Sequence, residues 1–304
     1  MKEFKFPATD ATKVHCYHWV REQPKAVIHI SHGMGEHAAR YDWVARQLVA
    51  AGYVVYASDH RGHGYTATKL GQFGPDGWNR TLLDLKEMMI AHRSDHPGLP
   101  VILLGHSMGS MLSQQFIELY GDTIDAVILS GSPGFANPVL TWIVRLITTV
   151  ETWRCGDDRE SNLLQKLIFG DSNKNFESAA TETTGFEWLS RDPEQVQAYM
   201  DDEMCGFVPF PASLKLVFTG ASWTQKKSSV AAIPTDLPIY LFSGSADPVH
   251  NELKDIERLL SRYREAGLEV DTRFYAEGRH EMFNETNREE VMDDLLVWLD
   301  AQTV

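Results

Sequence analysis

Three residue types in one chain order carry the chemistry of this sequence: a serine between glycines, then an aspartate, then a histidine. Ser107 lies in GHSMGS, residues 105 to 110, directly after the apolar run Val101-Ile102-Leu103-Leu104. A serine at such a junction has an ordinary use as N-cap of the helix that Met108 to Tyr120 predicts. It also has a chemical use. In a G-x-S-x-G turn between strand and helix the backbone is so tight that glycines must flank the serine, and its hydroxyl is pushed out where it can attack a carbonyl. That hydroxyl is a poor nucleophile until a base takes its proton and amide donors receive the oxyanion. The chemical use therefore demands a histidine, an acid and a further amide from elsewhere in the chain.

Both side-chain partners occur in the order that such sites use. After PIYLFSG (238–244) comes SADPV, which places Asp247 at the carboxyl end of a predicted strand, the edge where open α/β sheets build their sites. After VDTRFY (270–275) comes AEGRHEMF, which places His280 in the loop beyond the last strand. Asp-Pro is a common turn and a loop histidine is commonly solvated, so neither position is informative alone. Taken together, their order and strand-end placement predict a catalytic set of Ser107, Asp247 and His280. The expected oxyanion donors are two backbone N–H groups: that of Met34, in the glycine-rich loop SHGMGEH after an early strand, and that of Met108. The loop is neither G-x-G-x-x-G nor a P-loop, which argues against nucleotide binding.

Positioning these residues requires a sheet. AVIHIS (26–31), YVVYAS (53–58), VILLG (101–105), AVILS (126–130), PIYLFSG and VDTRFY alternate with helical patterns over Trp43–Ala51, Leu82–His92, Met108–Tyr120, Glu252–Ala266 and Glu289–Ala301. That rhythm predicts a mostly parallel sheet flanked by helices, to which Lys2–Val20 adds one or two antiparallel edge strands. From Pro133 to about Pro234 the alternation stops, and four of the eight tryptophans fall there. The expected organisation is a core of residues 1–132 and 235–304, with 133–234 as a helical cap inserted after the sixth core strand. Within the cap, Val139, Trp142, Ile143, Leu146 and Val150 share helical spacing. Such a stripe suits core packing, the lining of an acyl pocket, or transient contact with a lipid surface.

Composition narrows the partners. The chain has 304 residues, and 28 Lys+Arg against 42 Asp+Glu give a net charge of −14, which repels phosphate backbones and anionic bilayers. Nucleic acid is therefore not expected as a partner. Cys16, Cys155 and Cys205 lie far apart without a C-x-x-C pair, arguing against a disulfide framework or a structural zinc and for a reducing cytoplasm. No stretch approaches the ~18 apolar residues of a membrane span, and the N-terminus has no signal-peptide core. Of 12 histidines, the pairs His32/His37 and His60/His63 lack H-E-x-x-H spacing, so no metal and no other cofactor is expected. DHRGHG reads instead as a structural turn, with Asp59 and Arg61 hydrogen-bonded near the site.

HGMGEHAARY (32–41), DHRGHG (59–64), GHSMGS (105–110), GSADPV (244–249) and GRHEMFNE (278–285) resemble the monoacylglycerol lipase and lysophospholipase-like branch of the α/β-hydrolases across nearly the whole chain. The resemblance implies the α/β-hydrolase fold and a serine carboxylic-ester hydrolase that handles monoacylglycerol-like or other short to medium acyl esters. It implies that Glu36 and Arg40 help hold a glycerol head group, and Gly33, His106 and Trp142 complete the expected substrate contacts. Met34 stands where such enzymes often carry a small residue. Two rivals stay open: a serine aminopeptidase of the same superfamily, for which Glu182, Glu187, Asp192 and Glu194 offer carboxylates for a free amino terminus, and a non-catalytic ligand receptor on a hydrolase scaffold.

Overall fold

A computed structural model describes residues 1–156, 159–168, 172–176 and 183–303. Eight strands form one sheet: β1 (Lys2–Pro7), β2 (Lys13–Trp19), β3 (Val27–Ser31), β4 (Val54–Ser58), β5 (Val101–His106), β6 (Ala126–Ser130), β7 (Ile239–Gly244) and β8 (Val270–Tyr275). Their spatial order is β1-β2-β4-β3-β5-β6-β7-β8. β1 and β2 pair antiparallel, β2 meets β4 antiparallel, and every pairing from β4 to β8 is parallel. Both antiparallel strands expected from Lys2–Val20 are therefore present, β1 at the sheet edge and β2 one place inside it.

Parallel strands covered on both faces need apolar residues in both phases, and these have them. Val101, Leu103, Val127, Leu129, Ile239 and Leu241 enter one core, while Ile102, Leu104, Ala126, Ile128, Tyr240 and Phe242 enter the other. The first core is closed by α2 (Gly77–Asp95), α3 (Met108–Tyr120) and α9 (Lys254–Glu265); the second by α1 (Asp42–Ala50) and α10 (Arg288–Gln302). α2 begins five residues before its apolar repeat at Leu82 because Trp78 is itself buried, its indole N–H donating to Gln115 Oε1 at 2.7 Å. Truncating a fully buried side chain such as Leu103 to alanine would cost roughly 2–5 kcal/mol.

Between β6 and β7 run α4 (Pro138–Cys155), α5 (Asn162–Ile168), α6 (Pro193–Asp201), α7 (Pro211–Thr224) and α8 (Lys227–Val230), with no strand among the described residues. α7 packs on α4 and also on α3 and α2, and Val217 and Val230 belong to the first core. This stretch thus reaches down into the sheet's own packing. Glu182 lies outside the described residues.

Candidate active site

The turn from β5 to α3 explains the glycines of GHSMGS. Ser107 has φ 52° and ψ −113°, a left-handed backbone that costs a non-glycine residue energy and persists only where its surroundings impose it. A Cβ on Gly109 would stand 2.0 Å from the Ser31 carbonyl oxygen, and one on Gly105 would stand 2.4 Å from that of Gly109. No side chain larger than hydrogen fits either place. The Ser107 hydroxyl does not cap α3; it lies 2.9 Å from His280 Nε2.

His280 Nδ1 lies 2.9 Å from Asp247 Oδ2, so a proton on Nδ1 is donated to the carboxylate and Nε2 is left to accept from Ser107. Asp247 is itself fixed, Oδ1 by the Val249 amide at 2.9 Å and Oδ2 by the Ser243 hydroxyl at 3.2 Å. Burial alone would depress the His280 pKa, but the charge and hydrogen bond of Asp247, with Glu281 and Glu36 nearby, raise it above its ordinary value. Burial would likewise raise Asp247, yet His280 holds its carboxyl below the usual range. The arrangement keeps an ionised acid behind a base that readily gains a proton.

Two stretches outside the sheet hold the histidine loop, and neither was legible in the motifs. The His280 amide donates to the Trp188 carbonyl at 3.3 Å and the Glu281 amide to that of Leu189 at 2.8 Å, while the Trp188 ring lies 5.0 Å from the imidazole. Arg279 Nη1 donates to the carbonyls of Glu187 and Ser190 at 2.6 and 3.0 Å. From the other side, Arg40 reaches Glu281 with both guanidinium arms at 2.8 Å.

The loop after β3 is fixed by the residues that sequence singled out around it. Glu36 Oε1 accepts from the Gly33 amide at 2.6 Å and the Tyr41 hydroxyl at 2.9 Å, and Oε2 accepts from Arg40 at 2.6 Å. His63 Nε2 accepts from the Gly35 amide at 3.3 Å, and His32 Nε2 accepts from the His60 amide at 3.0 Å. Burial lowers the pKa of His32, takes His60 to about 3 and His63 to about 4, so all three are neutral hydrogen-bonding groups near pH 7. Asp59 accepts from the amides of Ala38 and Tyr65, both at 2.9 Å, and Arg61 pairs with Asp84 and Asp10.

A cavity of about 650 Å³ opens on Ser107 and His280, within the roughly 300–1,000 Å³ typical of small-molecule sites. Gly33, Met34, Glu36, His106 and Met108 line it together with Met111, Val217 and Phe218. Burial, then the neighbouring His280, lowers the His106 pKa to about 4. Asp247 stands behind His280 and does not line the cavity; nor does Arg40. Trp142 is displaced from its expected place: it is 63% exposed, and α4 turns Leu140, Thr141 and Val144 to the cavity instead. Apolar spacing identified a helix face correctly but could not say which way it points, because the more apolar face of α4 is the outward one.

A profile of the family described as "Serine aminopeptidase, S33" matches residues 22–287. A monoacylglycerol lipase of Mycolicibacterium smegmatis is 31% identical over 91% of this chain and 88% of its own. A monoglyceride lipase of Rattus norvegicus is 37% identical over 78% of this chain and 71% of its own. Among solved structures, a thermostable carboxyl esterase from Bacillus coagulans, in complex with glycerol, superposes with a TM-score of 0.90 at 25% identity, covering 100% of this chain and 99% of that one. With the family profile spanning most of its length, the chain belongs to the α/β-hydrolase family described as serine aminopeptidase S33, and it is monoacylglycerol-lipase-like.

Proposed function

We propose that this protein is a serine ester hydrolase that cleaves monoacylglycerol-like or other short to medium acyl esters through an acyl-enzyme. The observation that carries the reading is the continuous line from Ser107 Oγ through His280 to Asp247, with both hydrogen bonds at 2.9 Å, at the wall of a largely apolar cavity. In the first half-reaction His280 Nε2 takes the Ser107 proton as Oγ bonds to the ester carbonyl carbon, and the carbonyl oxygen becomes an oxyanion held by the Met34 and Met108 amides. The C–O bond to the alcohol then breaks, and His280 returns the proton to the leaving oxygen. Water repeats the sequence on the acyl-serine, releasing the acid. Asp247 orients the imidazole and stabilises its charge in both halves.

Substrate class follows from what faces the cavity. Met34, Met111, Leu140, Val144 and Phe218 supply an apolar wall suited to an acyl chain, while Glu36 and His106 offer polar atoms for the alcohol. Arg40 acts through Glu36 in this reading. A free amino terminus would need an uncommitted carboxylate in the cavity. Glu187 instead accepts from Asn173, Thr184 and Gly185, Asp192 caps α6, and neither lines the cavity, nor does Glu194. Glu36, Glu281 and Asp255 do line it, but the first two are paired with Arg40 and Asp255 with Arg258.

Residues 133–234 serve as the cap in this scheme. The outward face of α4 carries Trp142 and Trp153, the latter 88% exposed, with Val139, Leu146 and Val150. Such a face suits transient contact with a lipid surface. No helix among the described residues is long and apolar enough to cross a membrane. Three free thiols fit a reducing cytoplasm.

The test is a side-by-side assay of monoacylglycerols of graded chain length and of aminoacyl amides with free and blocked amino termini, with Ser107→Ala as control. Ester turnover that vanishes in the variant supports the reading. Preference for amides with a free terminus would replace it with the peptidase, and saturable binding without turnover would replace it with a receptor.

A further inference from the structure

Outside the cavity, one cluster joins the loop after β3 to the turn after α6. A ring nitrogen of His37, a carboxylate oxygen of Asp202 and the sulfur of Cys205 all lie within 4.8 Å of one another. We propose that these three residues bind one thiophilic divalent cation of the Zn²⁺ type, and that its binding fastens the loop carrying Met34 to residues 202–206.

The donor set is the first argument. Imidazole nitrogen, carboxylate oxygen and thiolate sulfur bind Zn²⁺ at roughly 2.0–2.3 Å in a tetrahedron, with water free to take the fourth place. His37 Nε2 and Asp202 Oδ2 are 2.8 Å apart, so a cation that replaces the proton between them requires only a small separation. The carboxylate is already oriented, because Asp202 Oδ1 accepts from the Met204 amide at 2.8 Å.

Charge is the second argument. Glu36, Glu281 and Asp202 face Cys205 with Arg40 as the opposing cation, three negative groups against one positive, so the field favours a cation. A bound metal removes the thiol proton outright, the proton leaving to solvent and sulfur donating its pair to the cation. Asp202 is 32% exposed at its side chain, which gives the ion a way in. The histidines at 32, 60 and 63 have no such role, since their rings are committed to the hydrogen bonds of neighbouring loops.

Position is the third. Gly35, one residue from Met34, accepts at its carbonyl from the Gly206 amide and the Tyr199 hydroxyl, both at 2.9 Å. A Cβ on Gly35 would meet the Phe207 carbonyl oxygen at 2.8 Å, so the two stretches already touch. The cation adds a side-chain clasp to that backbone contact. None of its three ligands lines the cavity at Ser107. Sequence spacing hid the set because 165 residues separate His37 from Asp202.

The experiment uses the full chain, stripped by a chelator and titrated with Cd²⁺, Zn²⁺ or Co²⁺. Expected are one ion per chain by equilibrium dialysis, a thiolate-to-Cd²⁺ charge-transfer band, and a thermal midpoint that rises with ion concentration. Cys205→Ser should abolish the band, Asp202→Asn should weaken binding on the order of tenfold or more, and Cys155→Ser should change nothing. Because His37 is buried and its variants can misfold, Asp202→Asn, half-exposed and isosteric, is the second handle. An absence of binding, or a band that survives in Cys205→Ser or disappears in Cys155→Ser, overturns the proposal.

Discussion

Arg40 and Glu281 form a two-pronged ion pair at 2.8 Å between the turn before α1 and the residue that follows His280. With the guanidinium 12% exposed and Glu281 8%, water cannot replace either partner. Burial would raise the Glu281 pKa, but Arg40 holds the carboxyl well below the usual range. Removing one partner of such a pair leaves a bare buried charge, at a cost of about 3–5 kcal/mol. Arg40→Gln should lose stability on that scale in urea unfolding, and Arg40→Lys should lose less because it keeps the charge without the fork. Equal stability of all three proteins would show that the pair is idle.

The acid limb of the pH profile follows from His280. Only the neutral imidazole can take the Ser107 proton, and its pKa is raised above the ordinary value of roughly 6.5 by Asp247, Glu281 and Glu36 against burial. Activity is therefore lost as pH falls through that raised value, so kcat/KM should break above about pH 6.5. In Asp247→Asn the break should move to lower pH while turnover drops on the order of 10⁴-fold. A wild-type break well below the ordinary histidine range would contradict the assignment.

Gly109→Ala places a methyl 2.0 Å from the Ser31 carbonyl oxygen and 2.5 Å from that of His32, both backbone atoms of β3 and its loop. Neither can retreat without breaking the parallel ladder in which Ser31 opposes Gly105. The variant should either fail to fold or lose most of its ester turnover with Ser107 still present. Far-ultraviolet circular dichroism and an esterase assay on the same sample separate the two outcomes; a stable, fully active Gly109→Ala would refute the packing argument.

Glu118 lies on the inner face of α3, 5% exposed, and among the described residues neither carboxylate oxygen has a hydrogen-bond partner. Burial pushes its pKa up to about 9 despite Lys226. Its folded pKa exceeds its unfolded one, so the native state binds the proton more tightly and this group costs stability as pH rises from about 4.5 toward 9. Between pH 6 and 8 the stability of Glu118→Gln relative to the parent should grow by ~1.4 kcal/mol per pH unit. A difference that stays flat across that range would mean Glu118 is ionised in the fold.

The sequence was most informative where function and backbone demand the same residue. Gly105, Gly109 and the strand-end positions of Asp247 and His280 are legible because a tight turn and an open sheet edge restrict what can stand there. The strands were legible for a related reason, since residues buried on both faces leave unbroken apolar runs. Long-range pairing left no such trace. Nothing in HAARY announces that Arg40 meets Glu281, and nothing in FEWLS announces that Trp188 packs on His280, because those contacts depend on how loops from distant parts of the chain close over the site. Trp142 shows the same limit on a helix, where periodicity defines a face without assigning its direction.

The central claim is that Ser107 is an activated nucleophile. Incubating the purified protein with a fluorophosphonate and locating the adduct by peptide mass spectrometry tests it most directly, with Ser107→Ala alongside. One adduct is expected, on Ser107, absent from the variant and suppressed in His280→Ala. An unlabelled protein, or labelling that persists in Ser107→Ala, would contradict it.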